Sequence, residues 1–453
     1  LVLKIIKNIV VCVCLRRNGS GSKENSIIFL YLRGSPWRHA ILRKLQSKAK
    51  PHREGVRAKW INPLFPSLSL PTWTSFSTGL YPENHGIVGN YIYDPVAKDF
   101  FSLDDSESMG QQKWWEAEPI WVTATNQGVK TALTLWSQCH VSYGGVLPAH
   151  CKPYVYPTLD NPVKFQTLNE DITKAIENLE KGYDLVQVYC EQPDYAGHAF
   201  GPDGDEMMQT IRHLDTAVTS MMNQLEATGL DSQVNVLIVS DHGMTDVGID
   251  KVQHVDLDQY LNADLVEKIA DNGAFFNIKV PTENIEQVYT QLSSIPGAVV
   301  FRHDDIPDEL HFKNHKYIHD FIVKTKPGYW ITGSRNTDKM LPPEYHTYSG
   351  THGYESKLQD MRGIFFAKGP DFENNKVIEA IDVVDVYQVL AHVLKVSPLP
   401  HNGTWSHVEP ALRRGNSVKT IDYIVALKVM LGFLIFIVGA LLYVYKRAKL
   451  HNE

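Results

Sequence analysis

Residues 234–243 read VNVLIVSDHG, and this stretch decides the fold. A short, nearly apolar run that ends in polar residues and glycine is typical of a strand buried in a parallel sheet. Comparable runs occur at 27–32, 129–135 and 185–189, and helical apolar patterns occur at 206–228 and 381–396. Strands that alternate with helices predict an α/β sandwich with a mostly parallel central sheet.

A less regular interval interrupts this alternation between about residues 254 and 349. It contains strand-like runs at 275–280 and Ala298–Arg302, with a helical pattern near 286–292 between them. We therefore expect a small α+β insertion in the sandwich.

The composition is that of a globular protein. The 453 residues carry a net charge of −7, with 43% hydrophobic and 21% charged residues. These values exclude a wholly disordered, collagen-like or coiled-coil chain. Residues 1–60 contain 14 Lys and Arg but only two acids, and no Asp precedes Asp94. No nucleic-acid-binding module accompanies this basic segment, so we interpret it as a solvated face or tail.

Polar side chains follow two of the predicted strands. Asp241 and His242 come directly after the opening run, and Asp194 and His198 follow the run before it. His352 lies in a third polar segment, GTHGYE. Ligand sites of open α/β sheets lie at the carboxyl ends of the strands, and mixed His and carboxylate ligands suit Zn²⁺. Each motif is weak by itself, but five such ligands are enough for two metal ions.

A fourth segment, residues 65–86, reads FPSLSLPTWTSFSTGLYPENHG and offers a nucleophile. Together with WW at 114–115, PIWVT at 119–123, DMRGIFFAKGPDF at 360–372 and PHNGT at 400–404, it gives the chain its resemblance to a known family. From about residue 27 to 405 the sequence resembles the ectonucleotide pyrophosphatase/phosphodiesterases of the alkaline phosphatase superfamily. The resemblance implies an alkaline-phosphatase-like fold and an extracellular hydrolase.

The resemblance also implies the roles of the polar residues. One Zn²⁺ would be held by Asp194, His198 and His352, and a second by Asp241, His242 and the nucleophile. Ser69 matches the nucleophile, which would attack phosphorus and form a covalent intermediate. A hydroxyl bound to Zn²⁺ loses its proton readily, so no separate base is required.

Two positions depart from the family pattern. The family has an Asp ligand of the second zinc after the first strand, where this chain has Arg33, and a guanidinium cannot serve as a ligand. We prefer the interpretation that the N-terminal segment is wrongly translated; weak binding of the second zinc and a catalytically impaired homologue are the alternatives. Thr72 stands where the family usually has an Asn that donates to a phosphate oxygen, and its side chain is shorter.

The resemblance leaves the substrate open between two ester classes. Tyr154 and Tyr156 lie where relatives stack a nucleobase or another head group, and aromatic rings also bind quaternary ammonium groups. Leu70 replaces a Phe that is common in nucleotide-cleaving members. We therefore expect a nucleotide pyrophosphatase/phosphodiesterase, with a choline-type glycerophosphodiesterase and a non-catalytic surface protein as the alternatives.

The C-terminal part of the chain predicts a membrane anchor. Residues 429–445 carry no charge, and Lys446, Arg447 and Lys449 follow at once, which places the tail in the cytoplasm. We expect a single-pass type I cell-surface protein, glycosylated at Asn402. Its predicted parts are a remnant leader or mistranslated segment (1–25), the catalytic domain (26–405, insertion about 254–349), a juxtamembrane linker (406–422), the transmembrane helix (423–445) and the tail (446–453).

Two cysteines lie close together in the sequence. Cys139 and Cys151 flank a Gly-Gly turn, and this spacing suits either a local disulfide or two buried thiols. An oxidising compartment favours the disulfide.

Overall fold

The structure, a computed structural model, describes residues 14–15, 27–32, 55–156, 165–341 and 348–413. The described α-helices are Ser69–Thr78 (α1), Pro82–His85 (α2), Ser106–Met109 (α3), Ile120–Asn126 (α4), Phe165–Glu180 (α5), Asp194–Phe200 (α6), Asp205–Ala227 (α7), Ile285–Ser293 (α8), Asp385–Leu394 (α9) and Trp405–Val408 (α10). The described strands are Cys14–Leu15 (β1), Ile27–Leu32 (β2), Val56–Ala58 (β3), Ile61–Asn62 (β4), Tyr91–Asp94 (β5), Asp99–Ser102 (β6), Thr131–Trp136 (β7), His150–Pro153 (β8), Leu185–Cys190 (β9), Val234–Ser240 (β10), Thr245–Asp246 (β11), Gln253–Asp256 (β12), Lys268–Ala270 (β13), Phe275–Lys279 (β14), Ala298–Arg302 (β15), Phe321–Thr325 (β16), Tyr329–Thr332 (β17), Met340–Leu341 (β18), Gly350–Thr351 (β19), Phe365–Lys368 (β20), Lys376–Ile378 (β21) and Ile381–Asp382 (β22).

The central sheet is built around β10, the strand of the opening motif. β10 pairs in parallel with β2, from Asn235 opposite Ile27 to Ser240 opposite Leu32. β7 pairs in parallel with β8 and β9, and β9 lies alongside β2. The four predicted strands are therefore present, and they form the parallel part of an α/β fold.

The sheet is less uniformly parallel than the sequence predicts, because β20 is antiparallel to both of its neighbours, β10 and β3. The chain enters β20 beside the end of β10, where the Ile364 N–H donates to Ser240 Oγ at 2.9 Å. A strand that begins where its neighbour ends can only run in the opposite direction.

Helices pack around this sheet. α5 packs on β9 and against α7, and α9 packs against α1 and α4. The 381–396 pattern becomes helical only at Asp385, because Ile381–Asp382 forms β22 and pairs in parallel with β4. Asp385 Oδ2 accepts the Asp382 N–H at 2.8 Å, which holds the turn between strand and helix.

A second sheet occupies the interval that the sequence predicts as irregular. Its strand order is β15-β16-β14-β13-β18, and α8 packs against β15. Apolar side chains of this sheet, of α8 and of β17 form a cluster of their own, which includes Ile278, Val288 and Ile331. The structure thus has a smaller α+β part beside the main sandwich.

The described part of the chain ends in contact with the main fold. Val408 and Ala411 are fully buried, and Phe372 forms a bridge with Leu412. The compact unit therefore continues to Leu412, beyond the predicted boundary at residue 405. The predicted span at 423–445 and the tail at 446–453 lie outside the described residues. Among the described residues, none of the helices is both long and apolar enough to cross a membrane.

The predicted disulfide is present between Cys139 and Cys151, whose Cα atoms are 5.6 Å apart. It joins the segment after β7 to β8. Cys190 is a free, buried thiol at the end of β9, and burial raises its pKa to about 12. Asn402 is exposed, and its Oδ1 accepts the Tyr81 N–H at 3.0 Å; glycosylation there stays a prediction.

One buried histidine holds the turn after α1. His85 Nδ1 accepts the Ile87 N–H at 3.1 Å, so Nε2 carries the proton and donates it to Ser75 Oγ at 3.0 Å. Ser75 in turn donates to Leu80 O at 2.6 Å. In the neutral imidazole both ring nitrogens are hydrogen-bonded, one as acceptor and one as donor. Burial lowers the pKa of His85 to about 3.

Acidification should destabilise the folded chain through His85. In the unfolded chain the imidazole is protonated below its ordinary pKa of 6.5. In the folded chain it stays neutral down to about pH 3. Stability is therefore lost as the pH falls below 6.5, at about 1.4 kcal/mol per pH unit. His85→Gln has no such titration. The difference in unfolding free energy between the wild type and this variant, measured by urea denaturation, should therefore become smaller as the pH is lowered from 7.5 to 5. A difference that stays constant over this range would contradict the assignment.

Candidate active site

The polar segments after β9 and β10 meet at one edge of the sheet. Asp241 and His242 directly follow β10, and Asp194 and His198 lie one turn apart on α6, which begins after β9. β11 pairs antiparallel with β19, and this pairing brings His352, the residue after β19, to the same edge. The carboxyl ends of parallel strands share one edge, which is why residues distant in sequence converge here.

Two glycines in these motifs are required by close backbone approach. A Cβ atom on Gly243 would lie 1.7 Å from Asp360 O, and one on Gly350 would lie 2.5 Å from Gly197 O. Any side chain at either position would push the adjoining segment away. The glycines therefore allow the ligand-bearing segments to pack directly against neighbouring backbone.

Asp194, His198 and His352 form the first group of potential metal ligands. Asp194 Oδ2 lies 3.3 Å from His198 Nε2, and Asp194 Oδ1 lies 3.5 Å from His352 Nε2. One donor atom from each residue lies within 4.8 Å of the other two. The Asp194 and His352 side chains are buried, whereas that of His198 is 20% exposed. The group therefore reaches solvent on the His198 side.

Ser69, His242 and Asp241 form the second group. Ser69 is the first residue of α1 and is buried. Its Oγ lies 3.2 Å from His242 Nε2, which in turn lies 3.2 Å from Asp241 Oδ2. The nucleophile predicted from the sequence is thus adjacent to the two ligands that the resemblance assigns to the same metal ion.

Backbone carbonyls set the orientation of all three imidazoles. The Nδ1 atoms of His198, His242 and His352 lie 2.9, 2.8 and 3.0 Å from the carbonyl oxygens of Gly350, Gly243 and Ser67, respectively. A carbonyl oxygen can only accept, so each Nδ1 carries a proton, and in the neutral ring Nε2 is the nitrogen with the lone pair. The Nε2 atoms are the ones that face the carboxylates.

The two groups are in direct contact. The rings of His242 and His352 stack with their centroids 3.6 Å apart. Two imidazole nitrogens with a carboxylate, and one imidazole with a carboxylate and a hydroxyl, are ligand sets that suit Zn²⁺. The donor chemistry therefore fits one ion on Asp194, His198 and His352, and a second beside Asp241, His242 and Ser69.

Two of the residues predicted to bind substrate, Leu70 and Thr72, are buried on the same helix as Ser69. Leu70 is fully buried, and its N–H donates to Asn90 Oδ1 at 3.0 Å. The Thr72 hydroxyl donates to the carbonyl oxygen of Leu68, the residue before α1, at 2.8 Å, and it would have to break this bond to donate to a ligand.

The two predicted tyrosines differ in their surroundings. Tyr154 is buried, and its hydroxyl donates to Glu191 Oε2 at 3.2 Å. Tyr156 is partly buried and packs against the main core. Their substrate contacts stay predictions, as does the role of position 33, because Arg33 lies outside the described residues.

Two residues near the nucleophile were missed by the sequence analysis. Asn90 is buried, and its Oδ1 accepts the N–H of Leu70, the residue after Ser69, at 3.0 Å. Trp73 donates from Nε1 to Asp241 Oδ2 at 3.0 Å. The one polar residue inside the apolar run 87–92 could have indicated Asn90, whereas a tryptophan in a helix carries no such signal.

A serine at the start of a helix, beside clustered His and Asp side chains at the carboxyl edge of an α/β sheet, is typical of metal-dependent hydrolases that act on phosphate esters. Residues 39–355 match the family model described as type I phosphodiesterase/nucleotide pyrophosphatase. The chain belongs to this family, and it is accordingly a hydrolase of the phosphodiesterase/nucleotide pyrophosphatase type.

Similar proteins cover most of the chain. Ectonucleotide pyrophosphatase/phosphodiesterase family member 5 of Homo sapiens is 32% identical over 361 residues, which are 79% of this chain and 72% of that protein. The human bis(5'-adenosyl)-triphosphatase ENPP4 is 30% identical over 360 residues, 79% of this chain and 75% of that protein.

Solved structures show the same fold. The structure of human family member 5 has a TM-score of 0.72 at 30% identity, covering 84% of this chain and 95% of that one. An inactive variant of murine family member 5 in complex with AMP has a TM-score of 0.71 at 29% identity, covering 80% and 92%.

Proposed function

We propose that this chain hydrolyses phosphodiester or pyrophosphate bonds of extracellular nucleotides, with two Zn²⁺ ions and Ser69 as the nucleophile. The observation that carries the proposal is the convergence of Ser69 Oγ on His242 Nε2 at 3.2 Å, in contact with the group formed by Asp194, His198 and His352. When bound, two metal ions would stabilise the attacking and leaving oxygens of an in-line displacement.

The residues of the chain supply the geometry of the displacement. Ser69 Oγ forms a bond to phosphorus while the bond between phosphorus and the leaving oxygen breaks. The proton of the Ser69 hydroxyl passes through solvent to the leaving group, and a covalent ester remains on Ser69. Water then attacks this ester on phosphorus, releases the monophosphate and restores the hydroxyl. The burial of Asp241, His242 and Asp194 keeps these polar groups in a poorly solvated site, where they act more strongly on charge than they would in water.

A nucleotide is the substrate best supported by the relatives. AMP is bound in the solved structure of the murine relative, and the human ENPP4 relative is named as a bis(5'-adenosyl)-triphosphatase. The family resemblance implies that Tyr154, Tyr156, Leu70 and Thr72 lie at the substrate-binding positions.

The second metal position lacks one of the ligands that the family pattern provides. Asp241, His242 and Ser69 provide three ligands, and Arg33 stands where the family has a fourth. A guanidinium beside the ion would repel it. We therefore expect the second Zn²⁺ to bind less tightly than the first in the sequence as written.

Replacing the nucleophile should abolish turnover. Ser69→Ala should lower kcat on the order of 10³-fold or more, because only binding and electrostatic stabilisation would remain. A labelled nucleotide ester, quenched during turnover, should label the peptide that contains Ser69 in the wild type only. Ser77→Ala is the matched control, since Ser77 lies on the same helix and its hydroxyl donates to Trp73 O. Equal activity of Ser69→Ala and the control would rule out this nucleophile.

Two chromogenic esters should distinguish the substrate classes. We expect the nitrophenyl ester of a nucleoside monophosphate to be hydrolysed with a kcat/KM at least about tenfold above that of nitrophenyl phosphorylcholine, and both rates to vanish after removal of metal. A preference for the choline ester would favour the glycerophosphodiesterase alternative. Absence of turnover on both esters, with correctly folded and metal-loaded protein, would favour a non-catalytic surface protein.

We also propose that residues 423–445 anchor the protein in the plasma membrane, with the catalytic domain outside. The 17 uncharged residues at 429–445 and the basic residues that follow support this orientation. The full chain expressed in animal cells should remain with the membrane fraction after alkaline extraction, and a chain truncated after residue 413 should not. Release of the full chain by alkali would contradict the anchor.

A further inference from the structure

Trp73 connects the nucleophile helix to the carboxylate of Asp241. It lies four residues after Ser69 on α1, so both side chains project from the same face of the helix, one turn apart. Its indole is 1% exposed, and Nε1 donates a hydrogen bond to Asp241 Oδ2 at 3.0 Å. The Ser69 hydroxyl and the indole that bonds to Asp241 are therefore one helical turn apart on the same helix.

The Asp241 carboxylate is held at both of its oxygen atoms. Oδ1 accepts the backbone N–H of His242 at 2.9 Å, and Oδ2 accepts the Trp73 indole N–H. Oδ2 is also the oxygen that lies 3.2 Å from His242 Nε2, the nitrogen with the lone pair in the neutral ring. The indole therefore bonds to the oxygen that faces the proposed second metal position.

Aromatic packing fixes the orientation of the indole. The Tyr189 ring lies edge-on to Trp73 with a centroid distance of 4.8 Å, and the Tyr154 ring does so at 5.4 Å. Both tyrosine hydroxyls donate to Glu191 Oε2, directly after β9. With two rings and a shared carboxylate holding its position, the indole N–H is directed at Asp241 with little freedom.

We propose that Trp73 is a positioning residue for the second metal ion, acting through Asp241; this rests on the proposed function of Asp241 and His242 as ligands. Hydrogen-bond partners of metal ligands hold the ligand in place, and their loss typically lowers metal affinity about 10- to 100-fold. The effect should be confined to the second ion, because the imidazoles of His198 and His352 are oriented by the carbonyl oxygens of Gly350 and Ser67.

Two substitutions separate the hydrogen bond from the packing. Trp73→Phe keeps an aromatic ring and removes the N–H. Trp73→His can place a protonated Nε2 where the indole has Nε1, in the one ring orientation that sets its Cδ2 over the indole Cδ1, but it loses the fused six-membered ring. The matched control is Trp121→Phe, since Trp121 is also fully buried and its Nε1 has no hydrogen-bond partner among the described residues.

The measurement is Zn²⁺ binding to metal-free protein, by competition with a chromogenic chelator, together with the thermal unfolding of the same samples without metal. For Trp73→Phe we expect a 10- to 100-fold rise in the dissociation constant of the weaker site and an unchanged stronger site. Trp73→His should retain most of the affinity while unfolding at a lower temperature. Trp121→Phe should leave both constants unchanged.

The outcomes separate this inference from the proposed function. If both Zn²⁺ dissociation constants are unchanged in Trp73→Phe, the positioning role of Trp73 is wrong, but the proposed function is unaffected. An equal loss of affinity in Trp73→Phe and Trp73→His would also contradict the positioning role, because it would indicate that Trp73 acts by packing. A wild type that binds one ion only would overturn both the positioning role and the proposed function. A wild type that binds two ions but hydrolyses neither ester would overturn the proposed function, and a selective loss of the weaker site in Trp73→Phe would then still support Trp73.

Discussion

The arrangement of the site depends on one requirement. The Nδ1–H groups of its three imidazoles, two of which are buried, each need a hydrogen-bond acceptor. Burying an N–H group without an acceptor costs free energy, so each ring needs an acceptor, and here each acceptor is a backbone carbonyl oxygen. Ser67, Gly243 and Gly350 supply these oxygens from three separate segments of the chain. The conformation of each segment is therefore tied to the orientation of one ring, and the same bonds leave every Nε2 available to a metal ion.

This constraint makes the two ligand groups one unit. His242 and His352 stack on each other, and the segments that carry them approach neighbouring backbone so closely that only glycine fits at positions 243 and 350. A shift in the backbone of either segment would therefore disturb the ring stacked on it, whereas a change confined to the Asp241 side chain leaves both segments in place. The Trp73 indole adds the nucleophile helix to the unit, because its N–H reaches the carboxylate next to His242.

Much of the fold could be predicted because its signals are local. Buried strands read as short apolar runs, and β2, β7, β9 and β10 are found where those runs occur. The direction of β20 could not be predicted, since a strand reads the same in either direction and its orientation depends on where the chain enters the sheet. The start of α9 at Asp385 was missed because the apolar residues before it pair with β4 instead.

The sequence by itself determined the α/β class, the family resemblance and the identity of the residues that now form the two ligand groups, because residue type and spacing carry that information. Only the tertiary structure decided which nitrogen of each imidazole is protonated, that Asn90 accepts the N–H of the residue after Ser69, and that Trp73 bonds to Asp241. The physical reason is the same in each case. Hydrogen bonds between groups as much as 285 residues apart depend on how strands and loops pack, and no local periodicity encodes that packing.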